Sequence, residues 1–263
     1  MLKVLCFTMK HICLWSGGKD STATIILAHL MGEPLDEIVI SEVMYCNERG
    51  ISGENPEHMK FVKEVAKPLF EKWGYEVKIL HAKKDFLSCF HHTIERATKY
   101  TSHNGMKYGF PISKLCSIKR DCKIKPMNDY LQSIEGDYLE YMGICIDEPL
   151  RLMSMHRKNN SISLLEKYGY TEHMARELCE RYGLLSPLYR FSDKQNRQGC
   201  WFCPNAKPEE HLYIMKHMPE IWQEYVSLEN EDVAFAKWNT FTDETLHQRS
   251  EKLELKFKGG VAV

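Results

Sequence analysis

The 263-residue sequence predicts an α/β fold: a mostly parallel sheet flanked by helices, followed by a mainly helical C-terminal part. Three observations lead there. Apolar runs of strand length alternate with helix-period segments over the first half of the chain. A strand–helix–strand step needs a crossover, and such crossovers are right-handed and leave the strands parallel. A Gly-rich turn separates the first apolar run from the first helix, the kind of junction where α/β sheets take ligands.

Each element has its own local reason. Residues 11–15, HICLW, form the first apolar run, and 21–31 follow with a helical pattern. Residues 38–45 include Ile38, Val39, Ile40 and Val43, β-branched side chains that suit a pleated strand. Pro56 opens a helix in which Met59, Phe61, Val62, Val65, Ala66, Leu69 and Phe70 recur near the helical period, and Gly74 ends it. Two more strands are expected at 75–80 and 138–146. In the second half, 170–182 is helical with Thr171 as its cap, and 208–228 is helical. Residues 183–204 between them are rich in turn formers and carry two cysteines. A composition shift near residue 150 divides the chain into regions 1–150 and 151–263.

Composition narrows the function. The formal net charge is −1, so any nucleic-acid contact must come from a local patch. No apolar run approaches the roughly 18 residues of a membrane span. Lys3 and Lys10 bracket a short apolar stretch, but no small-residue cleavage site follows, which points to a cytoplasmic protein. Met1 and Met9 are alternative starts. Ten cysteines in such a chain do not read as a disulfide framework. Cys6, Cys13, Cys46, Cys89, Cys145 and Cys179 sit among apolar or mixed neighbours and read as small buried hydrophobes.

The turn at residues 14–21 reads LWSGGKDS. Between a strand and a helix, such a turn collects backbone N–H groups at a helix N-terminus, an anion site reinforced by the helix dipole. Gly17 and Gly18 let the backbone approach a phosphate closely. Ser16 and Ser21 offer hydroxyls, Lys19 a point charge, and Asp20 a cap or a magnesium ligand. The pattern is not the Walker motif GxxxxGK[ST].

Ser16-Gly17-Gly18-Lys19-Asp20-Ser21 resembles the PP-loop, SGGxDS, of the adenine-nucleotide α-hydrolase-like fold. That superfamily includes ATP pyrophosphatases, tRNA sulfur-transfer enzymes and sulfonucleotide reductases. The resemblance implies a Rossmann-like nucleotide-binding core over 1–150. It also implies a loop that grips the pyrophosphate end of ATP, or the phosphosulfate of a sulfonucleotide, with Mg. Residues 47–58 after the second strand would approach the nucleotide, making Glu54 and His58 site candidates. Here ISGENPEH stands where sulfonucleotide reductases carry an acidic-Thr-Gly stretch.

Cys116 and Cys122 are spaced C-x5-C; Cys200 and Cys203 form a C-x2-C in a Gly/Pro-bounded turn, GCWFCP. Four thiolates make a closed Zn site or hold an iron–sulfur cluster. The separation of the pairs resembles adenylyl-sulfate reductases, where paired cysteines and a distant CxxC hold a [4Fe-4S] cluster. Those enzymes use adjacent cysteines; these are six apart. Trp201 and Phe202 supply an apolar wall.

Residues 107–125 are basic, with Lys107, Lys114, Lys119, Arg120, Lys123 and Lys125 against Asp121. Such a run reads either as a solvated face or as an anion-binding segment. Its end, Lys123-Ile124-Lys125-Pro126-Met127, resembles the K-x-x-P-(M/L) segment of the phosphoadenosine phosphosulfate (PAPS) reductase-like family, which makes Lys123 and Arg120 substrate candidates. The strand end Gly143-Ile144-Cys145-Ile146-Asp147-Glu148-Pro149-Leu150-Arg151 is similar to that family's substrate-facing strand end. Arg151 then forks onto a phosphate or sulfate, or pairs with Glu148.

The reductases' C-terminal nucleophilic cysteine is missing, because no cysteine follows Cys203. The expected function is therefore a PP-loop enzyme that binds ATP through Lys19 and Asp20 and adenylylates an acceptor with pyrophosphate release. A nearby cluster would suit sulfur transfer to a nucleic acid, with a sulfur donor as a further partner. Two alternatives remain. One is a sulfonucleotide reductase with a displaced thiol; the other is a non-catalytic nucleotide- and metal-binding module. Dimers are common in the superfamily.

Overall fold

The computed structural model describes residues 9–95, 103–111, 116–191, 199–231, 233–236, 238 and 244–258. Cys6, Lys3 and Lys114 lie outside the described residues. The chain divides into two compact units, each assembled from three stretches. The first is Met1–Ser41, Pro56–Leu80 and Pro126–Gln198; the second is Glu42–Asn55, His81–Lys125 and Gly199–Val263. The boundary expected near residue 150 is not where the chain divides. Composition tracks secondary-structure content, whereas the units are set by which segments share a core.

The first unit is the α/β body. Its five-stranded sheet runs through β1 (Lys10–Leu14), β2 (Glu37–Glu42), β3 (Glu76–His81), β4 (Tyr138–Tyr141) and β5 (Ser161–Ile162) in the order β3-β2-β1-β4-β5. β1 pairs in parallel with both β2 and β4, and β4 in parallel with β5. All six residues of β2 are buried, as expected for a parallel strand covered on both faces. Ile25, Ile26 and Leu27 of the helix Lys19–Met31 share a core cluster with Trp15, Val62 and Phe70. Ile12, Val39 and Leu131 form a second, smaller cluster. Two parallel strands carry the chain outward from β1 in opposite directions. The carboxyl end of β1 is therefore the topological switch point, where such sheets hold ligands.

Capping residues set the helix ends. The helix Lys19–Met31 ends on Gly32 in the left-handed region (φ 65°), whose N–H returns to the Ala28 carbonyl. Thr171 caps the helix Glu172–Arg181 by accepting the Met174 N–H at 3.3 Å. Three elements differ from expectation. Residues 38–45 are not one strand: β2 ends at Glu42 and a separate strand, Met44–Cys46, belongs to the second unit. Residues 142–146 leave the sheet after β4, because Gly143 lies against the backbone of Asp20 and Ser21. The helix over 208–228 is two helices, Pro208–His217 and Pro219–Ser227, since Pro219 has no N–H to continue the first.

The second unit has an aromatic core. Phe86, Phe90, Phe110, Trp201, Phe202, Trp222 and Tyr225 are buried in one cluster with Tyr45. Phe86 and Phe202 ring centroids lie 4.3 Å apart. Met44–Cys46 pairs antiparallel with Ile51–Ser52, and Lys107–Gly109 pairs in parallel with Val233–Ala236. A π-helical turn covers Lys119–Ile124, a distortion that often marks a functional segment.

Candidate nucleotide loop and cysteine cluster

The chain turns sharply after β1. Trp15 remains in the sheet, its N–H donating to the Val39 carbonyl at 2.8 Å, and its indole N–H reaches Thr22 Oγ1 at 2.9 Å. Gly17 then takes φ 74° and Gly18 an extended conformation before the helix starts at Lys19. Gly17 also has no room for a side chain: a Cβ there would come 2.5 Å from His58 Cε1. The loop is exposed at Ser16, partly exposed from Gly18 to Asp20, and buried at Gly17 and Ser21.

Several loop donors have partners within the unit. Ser16 N–H donates to Ser21 Oγ at 3.1 Å and Gly18 N–H to Ser16 Oγ at 3.2 Å. Lys19 N–H donates to the phenol oxygen of Tyr189 at 2.9 Å. The Lys19 ammonium stands between Asp20 Oδ1 at 2.7 Å and Glu172 Oε2 at 3.0 Å. Burial works to lower its pKa, but these two carboxylates outweigh it and hold the ammonium above its usual range. Burial raises the Asp20 carboxyl above its ordinary range, with the Lys19 ammonium opposing.

Three thiols line the underside of the loop. Cys179 Sγ donates to the Lys19 carbonyl at 3.1 Å, Cys145 Sγ to Asp20 Oδ1 at 3.4 Å, and Cys13 Sγ lies 3.9 Å from the Ser21 carbonyl. These are buried residues, as the sequence suggests, but they also donate to oxygens of the loop. Gly143 makes the closest approach: a Cβ there would meet Ser21 N at 2.5 Å and Asp20 C at 2.7 Å.

The other candidates of this unit fall around the loop. His58 is buried, its Nδ1 2.9 Å from Ser186 Oγ. Glu148 accepts the Cys145 N–H at 3.2 Å and pairs with Arg151. Ligand atoms of Asp20, Cys145 and Glu148 lie within 4.8 Å of one another. The carboxylates suit a hard cation such as Mg; the thiol does not. Asp147 accepts the N–H of Glu172, which links this strand end to the helix whose first residue holds Lys19. Tyr189 and Glu172 were not visible from sequence. They lie 170 and 153 residues from Lys19, and no local pattern marks them.

The remaining candidates sit in the second unit. Glu54 bridges to Cys200 in antiparallel fashion, and Trp201 N–H donates to the Gly53 carbonyl at 2.9 Å. The CxxC turn closes with Cys203 N–H on the Cys200 carbonyl at 3.0 Å. Tyr225 donates to the Phe202 carbonyl at 2.6 Å, and Trp201 and Phe202 are each 1% exposed, so the turn is anchored from the aromatic core. Cys116, Cys122 and Cys200 belong to this same cluster. Cys116 Sγ accepts the Lys119 N–H at 3.3 Å. Cys89 is buried, as its apolar neighbours suggest, and places its thiol 3.8 Å from that of Cys122.

The basic segment is largely paired. Arg120 contacts Asp121 at 2.6 Å, Lys84 contacts Asp121 at 3.5 Å, Lys107 pairs with Glu231, and Lys123 Nζ stands 3.6 Å from Glu54. The Arg120 guanidinium, against a smaller effect of burial, holds the Asp121 carboxyl below its usual range.

The fold and loop define a parallel α/β protein with a Gly-rich turn at its switch point. Among solved structures, the chain is similar to the U34-tRNA thiolase NcsA from Methanococcus maripaludis with its [4Fe-4S] cluster. Identity is 17%, coverage is 96% of this chain and 84% of that one, and the TM-score is 0.38. No family model and no curated protein matches the sequence. No helix among the described residues is long and apolar enough to cross a membrane.

Proposed function

We propose that the protein is an ATP-using PP-loop enzyme that adenylylates an acceptor and releases pyrophosphate, with a cysteine-bound metal centre serving sulfur transfer to a nucleic acid. The observation that carries this reading is the SGGKDS bend at the carboxyl end of β1, where the strand order reverses. The loop positions the triphosphate at the first turn of the helix Lys19–Met31, whose dipole favours negative charge. Lys19, held by Asp20 and Glu172, supplies a fixed cation as charge develops on the leaving pyrophosphate. Glu148 and Asp20 are the carboxylates that would hold Mg, which supplies further neutralisation of phosphate charge. Arg151 closes the same strand end through Glu148.

Cys116, Cys122, Cys200 and Cys203 are the ligands this reading gives to the metal. Zn–S bonds of about 2.3 Å put the sulfurs of a tetrahedral site about 3.8 Å apart. Among the described residues, no three cysteines bring their sulfurs within 4.8 Å of one another. Four thiolates suit zinc or an iron–sulfur cluster alike, and the chemistry of the ligands does not choose between them. Anaerobic purification with an absorbance spectrum and elemental analysis tests the centre: a brown protein with iron and sulfide marks a cluster, a colourless one with zinc marks a zinc site, and a metal-free protein overturns the metal centre. Pyrophosphate release from ATP, with transfer RNA as the first acceptor tried, tests the activity. Sulfite release from a sulfonucleotide without pyrophosphate would instead select the reductase reading.

A further inference from the structure

The Tyr189 hydroxyl accepts the Lys19 N–H at 2.9 Å, so its oxygen is fixed beside the first turn of the loop helix. A phenol has one proton to donate. Among the described residues, no acceptor takes it. Tyr189 is only 8% exposed, and a buried hydroxyl usually satisfies its donor as well as its acceptor. Burial also keeps the phenol protonated. Its segment is tied down: Ser186, three residues earlier, bonds the His58 ring that lies against Gly17.

We infer that Tyr189 is a phosphate-binding residue of the loop, donating its hydroxyl proton to a phosphate oxygen of a nucleoside triphosphate or of inorganic pyrophosphate. The inference rests on the loop being the phosphate site. The Lys19 amide polarises the phenol, and the phenol passes that polarisation outward to the anion. Such a chain is stronger than its members taken singly, and a hydrogen bond to an anion is stronger than one to a neutral acceptor.

The test is calorimetric titration of the full chain with inorganic pyrophosphate, Mg·ATP and adenosine. Tyr189→Phe keeps the ring and removes only the hydroxyl. It is expected to weaken pyrophosphate and ATP binding about tenfold, leave adenosine binding unchanged, and leave the melting temperature within a few degrees of the parent. Incorporating 3-fluorotyrosine at 189, a stronger donor of nearly the same volume, is expected to tighten pyrophosphate binding. Lys19→Ala serves as the control for the site. If the parent binds pyrophosphate and Lys19→Ala does not, but Tyr189→Phe binds as well as or better than the parent, the inference is wrong and the loop reading stands. If the parent binds neither pyrophosphate nor ATP, both fall together.

Discussion

The two units each bury an ionisable group, and they stabilise it by different means. In the α/β unit, charges inside are paired: Glu37 in β2 is 2% exposed and takes Lys10 and, at 2.8 Å, Lys78. Burial pushes its carboxyl up, yet the two ammonium groups outweigh that and leave its pKa below the usual range. In the second unit, where Glu54 and Glu244 are paired with Lys123 and Arg249, one ionisable ring is instead held neutral among aromatic side chains. His211 is fully buried, its ring 5.3 Å from that of Trp222, and among the described residues neither ring nitrogen has a partner at full hydrogen-bond geometry. Burial, then the Arg249 guanidinium, lower its pKa to about 3. A unit that pairs its charges can present one to a ligand. An aromatic surrounding such as that of His211 suits thiolates shielded by apolar walls.

The sharpest way to break this contrast is at Gly143. Gly143→Ala drives a methyl into the Ser21 and Asp20 backbone, which has no side chain to swing aside. The expected cost is about 3 kcal/mol of stability and about a hundredfold in pyrophosphate release, read by urea melts and a pyrophosphate assay. Normal activity in this variant would show that the loop is not the working surface. The matching change in the second unit is Cys203→Ser. Loss of bound metal, measured by elemental analysis, is expected, with a fall of several kcal/mol in stability because metal binding is folding free energy there.

Acid should separate the units further. The unfolded chain protonates His211 near 6.5, while the folded chain resists until about 3. The unfolded state therefore binds more protons through that window, and stability falls as pH falls. The slope is about 1.4 kcal/mol per pH unit, or about 2 kcal/mol between pH 6.5 and 5. Urea melts of the parent and of His211→Leu at the two pH values measure it; equal losses in both would remove His211 as the cause. Glu37 acts lower: its depressed carboxyl contributes stability above its unfolded value near 4.5, lost as pH falls through the folded pKa. The smallest expected effect is Thr171→Ala, about 1 kcal/mol from a lost helix cap, visible as a modest drop in melting temperature.

Much of the α/β unit was legible beforehand because its signals are local. A strand is marked by β-branched residues, a helix end by Gly32 or Thr171, and a sharp strand–helix turn by two glycines. The errors came where packing overrides pattern. The run 38–45 looks continuous, yet the chain passes from one unit to the other after Ser41 and the strand itself ends at Glu42. The run 138–146 looks like a single strand, yet Gly143 must pass beside the loop backbone. The cysteine pairs could be picked out by spacing, but the approach of Cys89 to Cys122 could not.

By itself, the order of residues determined the α/β class, the loop and its flanking strand and helix, because hydrophobic period, capping and glycine freedom act over a few residues. Only the tertiary structure decided that β1 lies between β2 and β4, that Tyr189 and Glu172 reach Lys19, and that each unit is assembled from three separate stretches of chain. Those outcomes depend on which distant surfaces exclude water together, and burial rewards contact without regard to separation along the chain.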